Sequence, residues 1–202
     1  MKTKIALIVT IIGMLAAGCE PATKNIDTIN DDGKPVMGLD YRDFDRAASE
    51  MIQSLLSSGS LKKDDGSRYV VATGVVTNDT MQRIDSDQLM AKIEEELLNS
   101  GQVVMTSAIG GKGAPDKMIY DSRDLRNSEE FDQSTVAAKN TLLAPELSIS
   151  GKIFQRNIRY DNDKQQIEYY FQLKVSDVKS GLRFWQKETV IGKRGSNKSV
   201  AW

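Results

Sequence analysis

The chain contains one cysteine, Cys19, and this limits how the fold can be stabilised. A lone cysteine cannot form a disulfide within the chain, so the fold must rest on packing and hydrogen bonding. Hydrophobic residues make up 40% of the 202 positions, which suits one domain with a substantial core. Charged residues make up 27% and the net charge is −1, so we expect no nucleic-acid partner and no polybasic membrane-binding segment.

The chain also contains no histidine. This removes the commonest general base, the commonest metal ligand and every Ser–His or Cys–His catalytic arrangement. An enzyme built from this chain would have to act through carboxylates, lysine or tyrosine, and no carboxylate pair is marked by its spacing. We therefore expect no catalytic residue, no metal site, no cofactor and no small-molecule substrate.

The first 18 residues have the layout of an export signal. Lys2 and Lys4 precede an apolar run at 5–14, which is too short to cross a hydrocarbon core about 30 Å thick. Small residues then lead directly to Cys19. This pattern predicts a signal peptide over residues 1–18 and not a membrane span.

The cysteine gives this signal a more specific interpretation. Residues 15–19 resemble a bacterial lipobox, which implies cleavage between Gly18 and Cys19 and acylation of the Cys19 thiol, with palmitate among the attached groups. The sequence departs from the usual lipobox at Ala16, where a leucine is customary. The alternative is an ordinary secretory signal followed by an unrelated cysteine.

Residues after the cysteine are polar and lack periodicity. The segment 20–38 contains two prolines and two glycines, which predicts a flexible tether with an end-to-end distance of roughly 25 Å. After Gly192 the chain is basic, and we expect a mobile tail. The predicted organisation is a signal peptide at 1–18, a lipidated N-terminus and tether at 19–38, an α/β domain at 39–192 and a basic tail at 193–202.

Apolar residues at helical spacing predict two amphipathic helices. The first begins after the N-cap Asp40 and ends near Gly59, and the second covers 86–99 with Asp85 or Ser86 as its cap. Their predicted inner faces consist of Phe44, Ala47, Ala48, Met51, Ile52, Leu55 and Leu56 in the first helix, and Leu89, Ile93 and Leu97 in the second.

The remaining patterns predict strands and short helices. Clean alternation over 167–176 predicts a half-buried antiparallel strand, and strands are also predicted at 68–76, 102–108, 147–158 and 182–191. Two short helices are predicted at 116–126 and 132–142. The fold class is therefore α/β: a two-layer sandwich with a mixed four- to five-stranded sheet, a C-terminal antiparallel meander and three to four helices.

Two segments suggest ligand sites only weakly. The glycine-rich loop at 109–115 contains Lys112 but lacks the spacing and the directly following helix of a P-loop. The acidic turn at 161–163 lacks the glycine and the distant glutamate of an EF-hand loop. We interpret the first as a flexible loop and the second as a plain turn.

Several segments of the chain together resemble the LpoB family of penicillin-binding protein activators, over residues 40 to about 192. They are residues 40–41 with Ala47 and Met51, residues 78–80, residues 84–85 with the helix ending at 99–101, residues 144–151, residues 173–177, and residues 180–182 with Trp185. The resemblance is a pattern spread along the chain and not one sharp motif.

The resemblance implies a fold like the N-terminal domain of TolB and a lipoprotein of the outer membrane whose domain lies in the periplasm. It implies binding to a bifunctional class A penicillin-binding protein, stimulation of peptidoglycan synthesis and no enzymatic activity. Glu20 is not the aspartate associated with inner-membrane retention in enteric bacteria. The tether, however, is shorter than the proline-rich tethers of the enteric activators.

Three functional hypotheses follow. The first is an activator, acting as a monomer, whose protein-binding face we place on the meander around Arg156, Arg159 and Tyr160, because exposed arginine and tyrosine favour interfaces. The second is a structural lipoprotein of an outer-membrane secretion or surface-assembly complex with the same fold. The third, the weakest, is a hydrolase acting through paired carboxylates.

Overall fold

A computed structural model describes residues 25–31, 33–111, 115–159 and 161–198. The chain divides into two compact units, residues 1–35 and residues 36–202. In the described part of the first unit the chain forms bends, where the Asp27 carboxylate accepts hydrogen bonds from Ile29 N and the Asn30 side chain at 2.9 and 3.0 Å. Among the described residues, no helix has the length and apolar character needed to span a membrane.

The second unit contains three α-helices, one short 3-10 helix and five strands. In chain order they are α1 (Tyr41–Ser57), β1 (Tyr69–Asp79), α2 (Ser86–Asn99), β2 (Val103–Met105), α3 (Lys117–Asp124), the 3-10 helix η1 (Leu125–Asn127), β3 (Leu147–Arg159), β4 (Lys164–Asp177) and β5 (Arg183–Ser196).

Helix α1 begins where the sequence predicts, because Asp40 satisfies the free N–H groups of its first turn. The Asp40 carboxylate accepts from Arg42 N and Asp43 N, and the Asp43 carboxylate accepts from Asp40 N at 2.9 Å, which completes a capping box. The helix ends before Gly59, whose φ of +76° is readily adopted only by glycine among common residues.

The inner faces of both helices are as predicted, apart from Leu56, which is only partly buried. Helix α2 is capped by Asp85, whose side chain accepts from Asp87 N at 3.0 Å. Leu89, Ile93 and Leu97 are buried against the sheet and α1, whereas Leu98 is 51% exposed.

The five strands form one mixed sheet in the order β2-β1-β3-β4-β5. Strand β1 pairs in parallel with β2 and β3, and the pairs β3–β4 and β4–β5 are antiparallel. The meander formed by β3, β4 and β5 is therefore confirmed, as is the α/β class with a mixed five-stranded sheet. Helices α1 and α2 pack on one face of this sheet, and the core lies between the two layers.

Besides shifts of a few residues at the ends of β1 and β4, three elements differ from the sequence prediction. Strand β2 covers only three residues, because the chain leaves β1 after Thr106 N donates to Val71 O at 2.9 Å. The helix predicted at 132–142 is wrong: this segment forms turns, and the guanidinium groups of Arg123 and Arg126 donate to the carbonyls of Ala137 and Ala138. Those carbonyls are therefore occupied by side chains instead of the amide groups of a following helical turn.

The third difference lies in β5, which continues to Ser196 and so includes residues 193–196 that the sequence assigned to a basic tail. The reason is Lys193, whose ammonium lies 2.5 Å from the Asp43 carboxylate and 2.8 Å from Gly38 O, with only 8% of its side chain exposed. Further bonds, from Tyr169 Oη to Met37 O and from Leu39 N to Gln82 Oε1, hold residues 37–39 against the domain. The sequence assigned residues up to 38 to the tether. In the structure, the chain is held against the domain from Met37 onward.

Candidate partner-binding face

Strands β3, β4 and β5 have two different faces. One is covered by α1 and α2, and we call the opposite one the outer face. The registers place outer-face residues of neighbouring strands side by side: Phe154 beside Tyr170 and Val190, Arg156 beside Glu168 and Gly192, and Lys152 beside Gln172 and Glu188.

An aromatic pair lies at the centre of the outer face. The rings of Phe154 and Tyr170 are stacked, with centroids 4.7 Å apart and planes 5° from parallel. Val190, across from Tyr170 on β5, is 44% exposed. Lys152 Nζ lies 5.6 Å from the centroid of the Phe154 ring. A half-exposed aromatic pair beside an aliphatic and a cationic side chain has the composition of a protein-binding centre.

The Tyr170 hydroxyl is oriented by Glu168. It donates to Glu168 Oε2 at 2.6 Å, and Gln166 Nε2 donates to Glu168 Oε1 at 2.7 Å. These hydrogen bonds, with the Tyr170 bond the largest contribution, lower the pKa of Glu168, and the nearby positive charge of Arg156 adds to the effect. The same bond raises the pKa of Tyr170. At neutral pH the face therefore presents an ionised Glu168 and a protonated Tyr170.

Polar pairs surround the aromatic centre. Lys152 Nζ lies 2.5 Å from Asp79 Oδ2 on β1, and Gln172 Nε2 donates to Glu188 Oε2 at 2.6 Å. Asp79 and Glu188 are exposed and Lys152 and Gln172 are half-buried, so the pairs contribute little to folding. The arrangement of an apolar centre within a polar rim is typical of transient protein interfaces.

The structure describes two of the three predicted face residues and places them on opposite sides of β3. Arg156 is exposed on the outer face, opposite Glu168. Arg159 is the last residue of β3 and is also exposed, but alternation along the strand directs it to the opposite side from Arg156. Tyr160 lies outside the described residues, as do Gly18 and Cys19 of the predicted lipidation site.

Sequence reasoning missed Phe154 and Tyr170 as face residues. The signal for Tyr170 was present, because it occupies a polar position in the alternation of β4, between Glu168 and Gln172. Phe154 gave no comparable signal, since its position on the outer face depends on the register with β4. Among the described residues, no group of three or more cysteine and acidic side chains is placed to hold a metal ion.

Comparison with known proteins assigns the family. A family model described as "Peptidoglycan-synthase activator LpoB" matches residues 43–191, from the first turn of α1 into β5. No curated protein sequence matches the chain.

Solved structures show weaker likenesses. The LpoB C-terminal domains from Salmonella enterica and Escherichia coli each match with a TM-score of 0.41 and 12% identity, over 74% of this chain and 98% of theirs. The hypothetical protein CT253 from Chlamydia trachomatis matches with a TM-score of 0.34 and 16% identity, over 66% of this chain and 76% of that chain. Because these TM-scores are below 0.5, the assignment rests on the family model, which covers 149 of the 202 residues (191 − 43 + 1). The chain belongs to the peptidoglycan-synthase activator LpoB family.

Proposed function

We propose that this chain is an outer-membrane lipoprotein that binds a bifunctional class A penicillin-binding protein and so promotes peptidoglycan synthesis. The observation that carries the proposal is the family match over residues 43–191, which includes both core helices and nearly all of the sheet. The chain acts as a monomeric activator and not as an enzyme. Its domain lies in the periplasm, and acylated Cys19 anchors it to the membrane.

The outer face is the surface that contacts the synthase in this proposal. Its aromatic pair, Phe154 and Tyr170, can bury apolar area, and Arg156 can make charge-assisted hydrogen bonds beside it. The rigid three-stranded meander presents these side chains without a folding step, which reduces the entropy lost on binding. Arg159, which points away from this face, is less central to the contact than the sequence alone suggested.

A glycan-polymerisation assay tests the proposal. The full-length lipidated chain is added in detergent to the class A penicillin-binding protein of the same cells, and the rate of lipid II consumption is measured. We expect the chain to accelerate polymerisation. Tyr170→Ala and Arg156→Ala should each raise the concentration of the chain that gives half-maximal acceleration by about tenfold. A loss of affinity of this size is typical of central interface residues.

The matched control is Lys117→Ala, because Lys117 is exposed on α3, away from the outer face, and forms an ion pair of 2.6 Å with its helical neighbour Asp121. This variant should activate like the wild type. An unchanged polymerisation rate with the wild-type chain would overturn the activator proposal. If light scattering then showed rings of the chain, the structural role in a surface-assembly complex would replace it.

A further inference from the structure

A cavity of about 280 Å³ lies at the end of the outer face where β4 ends and β5 begins. Its lining includes Lys152 of β3, Gln172 and Lys174 of β4, and Arg183 and Gln186 of β5. The structure describes all three stretches, 150–153, 171–175 and 182–187, without a gap. The cavity therefore continues the outer face beyond its aromatic centre, and we call it the cationic cavity.

The cationic cavity has positive charge that is available to a ligand. Three of its side chains are cationic, and none of the described residues that line it is a carboxylate. Lys174 is exposed, and among the described residues no hydrogen bond or ion pair occupies its ammonium. Arg183 Nη1 donates to Gln186 Oε1, so the remaining N–H groups of this exposed guanidinium can bind an acceptor.

The carboxylates nearest to the cavity along the strands have other partners. The Asp79 carboxylate lies 2.5 Å from Lys152 Nζ, and Glu188 Oε2 accepts from Gln172 Nε2 at 2.6 Å. Asp177 Oδ1 accepts two bonds from the turn that follows it. Within the described part of the chain, none of these three carboxylates forms an ion pair with the two cations on the β4–β5 side. The positive charge there is therefore not compensated by direct contact.

Exposed apolar side chains flank Arg183 on both sides along the chain. Leu182 is 64% exposed and Phe184 is 39% exposed. The turn that carries them is held by hydrogen bonds, since Asp177 N donates to Leu182 O at 2.8 Å and Gly181 N donates to Asp177 O at 2.9 Å. A ligand that suits this end of the face therefore has a negative charge next to an apolar group.

The cationic cavity lies far from the point where the tether joins the domain. Lys193 bonds Gly38 O near the end of β5, whereas Arg183 begins that strand. The ten positions between them (193 − 183) correspond to about 33 Å at a rise of about 3.3 Å per residue. A partner that approaches the domain from the side opposite the tether therefore meets the cavity.

We propose that the cationic cavity binds an acidic segment of the synthase. An aspartate or glutamate carboxylate of that segment lies between Lys174 and Arg183, and an apolar side chain next to it packs against Leu182. Charge-assisted hydrogen bonds to a carboxylate are stronger than neutral ones, and exposed cations accelerate the encounter with an acidic surface. This inference rests on the proposed function, because it names the chemistry of the synthase segment at one end of the outer face.

Binding of the full-length lipidated chain, in detergent, to the class A penicillin-binding protein of the same cells tests the inference. Lys174→Glu/Arg183→Glu should raise the Kd at least about tenfold at an ionic strength of about 0.01 M. The loss should shrink at about 0.1 M, because the Debye length falls from about 30 to about 10 Å. Circular dichroism should show an unchanged fold, because both side chains are exposed.

The matched control is Lys92→Glu/Lys187→Glu, which changes the net charge by the same amount. Lys92 is exposed on α2, and Lys187 pairs with the buried Leu173, so both lie on the helix-covered side of the sheet. This control should bind the synthase like the wild type. A loss as large as that of Lys174→Glu/Arg183→Glu would mean that net charge alone controls binding, and would overturn the inference.

The wild type separates failure of this inference from failure of the proposed function. A wild-type chain that neither binds nor activates the synthase would overturn both. A wild type that binds and activates, with equal binding by Lys174→Glu/Arg183→Glu, would overturn this inference alone. At constant ionic strength, synthetic hexaglutamate should compete with the synthase and inorganic phosphate should not. Competition by phosphate alone would assign the cavity to phosphate groups and overturn the acidic-segment proposal.

Discussion

Tyr169 and Tyr170 are neighbours on β4, yet the two faces of the strand place them in opposite surroundings. Tyr169 is fully buried, its hydroxyl donates to Met37 O at 3.1 Å, and burial raises its pKa to about 12. Tyr170 is half-exposed, and its hydroxyl orients the Glu168 carboxylate at 2.6 Å. The comparison shows how one strand stabilises the fold with its inner face and presents recognition groups with its outer face.

The largest expected difference between the faces concerns buried aromatic volume. Phe171 is fully buried and meets Phe44 edge-to-face at 5.9 Å, so Phe171→Ala should destabilise the chain by about 4 kcal/mol. Tyr170→Ala, one position away on the outer face, should cost less than about 1 kcal/mol. Urea unfolding followed by circular dichroism measures both. Similar losses for the two variants would mean that the outer face also belongs to the core.

The next largest effect is expected at the buried ion pair of the inner face. Lys193→Met leaves the Asp43 carboxylate without its cation and Gly38 O without its donor, so we expect a loss of about 3 kcal/mol in unfolding free energy. The control is Lys187→Met, an exposed position two residues before Thr189 on the same strand, which should change stability by less than about 0.5 kcal/mol. The double variant Asp43→Asn/Lys193→Met should lose less than the sum of the single variants. A loss below about 1 kcal/mol for Lys193→Met would show that the Lys193–Asp43 pair does not hold the end of β5 against the domain.

A smaller effect is expected from the Tyr169 hydroxyl. Tyr169→Phe removes one hydrogen bond to the segment at Met37 and should cost about 1 kcal/mol at neutral pH. Because the pKa of Tyr169 is higher in the folded state, its contribution to the free energy of unfolding is fully present below the ordinary pKa of 10.0. This contribution is lost as the pH rises through about 12. Stability measured between pH 9 and 12 should therefore fall more steeply for the wild type than for Tyr169→Phe. Parallel curves would show that this tyrosine ionises equally in both states.

The smallest expected effect is the pKa of Glu168 on the outer face. Its folded-state pKa lies below the ordinary 4.5, so its contribution to folding is present above that value and is lost as pH falls through the folded-state pKa. Tyr170→Phe removes the main donor to this carboxylate. We expect the pKa of Glu168 to rise toward its ordinary value, as followed by NMR titration of the side-chain carboxyl carbon. An unchanged titration would assign the shift to Gln166 and Arg156 instead.

Local patterns in the sequence determined the elements whose signals are short-range. The Asp40 cap and the apolar spacing that follows it predicted α1, and the alternation from Ile167 predicted β4, because both depend on residues within a few positions of each other. The order of the predicted elements was then enough to predict the α/β class and its C-terminal meander. The same order supported the family resemblance, which the match over residues 43–191 confirmed.

Only the tertiary structure decided which distant residues meet. Lys193 extends β5 because it pairs with Asp43, 150 positions earlier, and no local pattern contains that information. The outer face likewise depends on strand register, which places Phe154 against Tyr170 and Arg156 against Glu168. A one-residue change in register would exchange the two faces, so which recognition residues stand side by side follows from the assembled sheet.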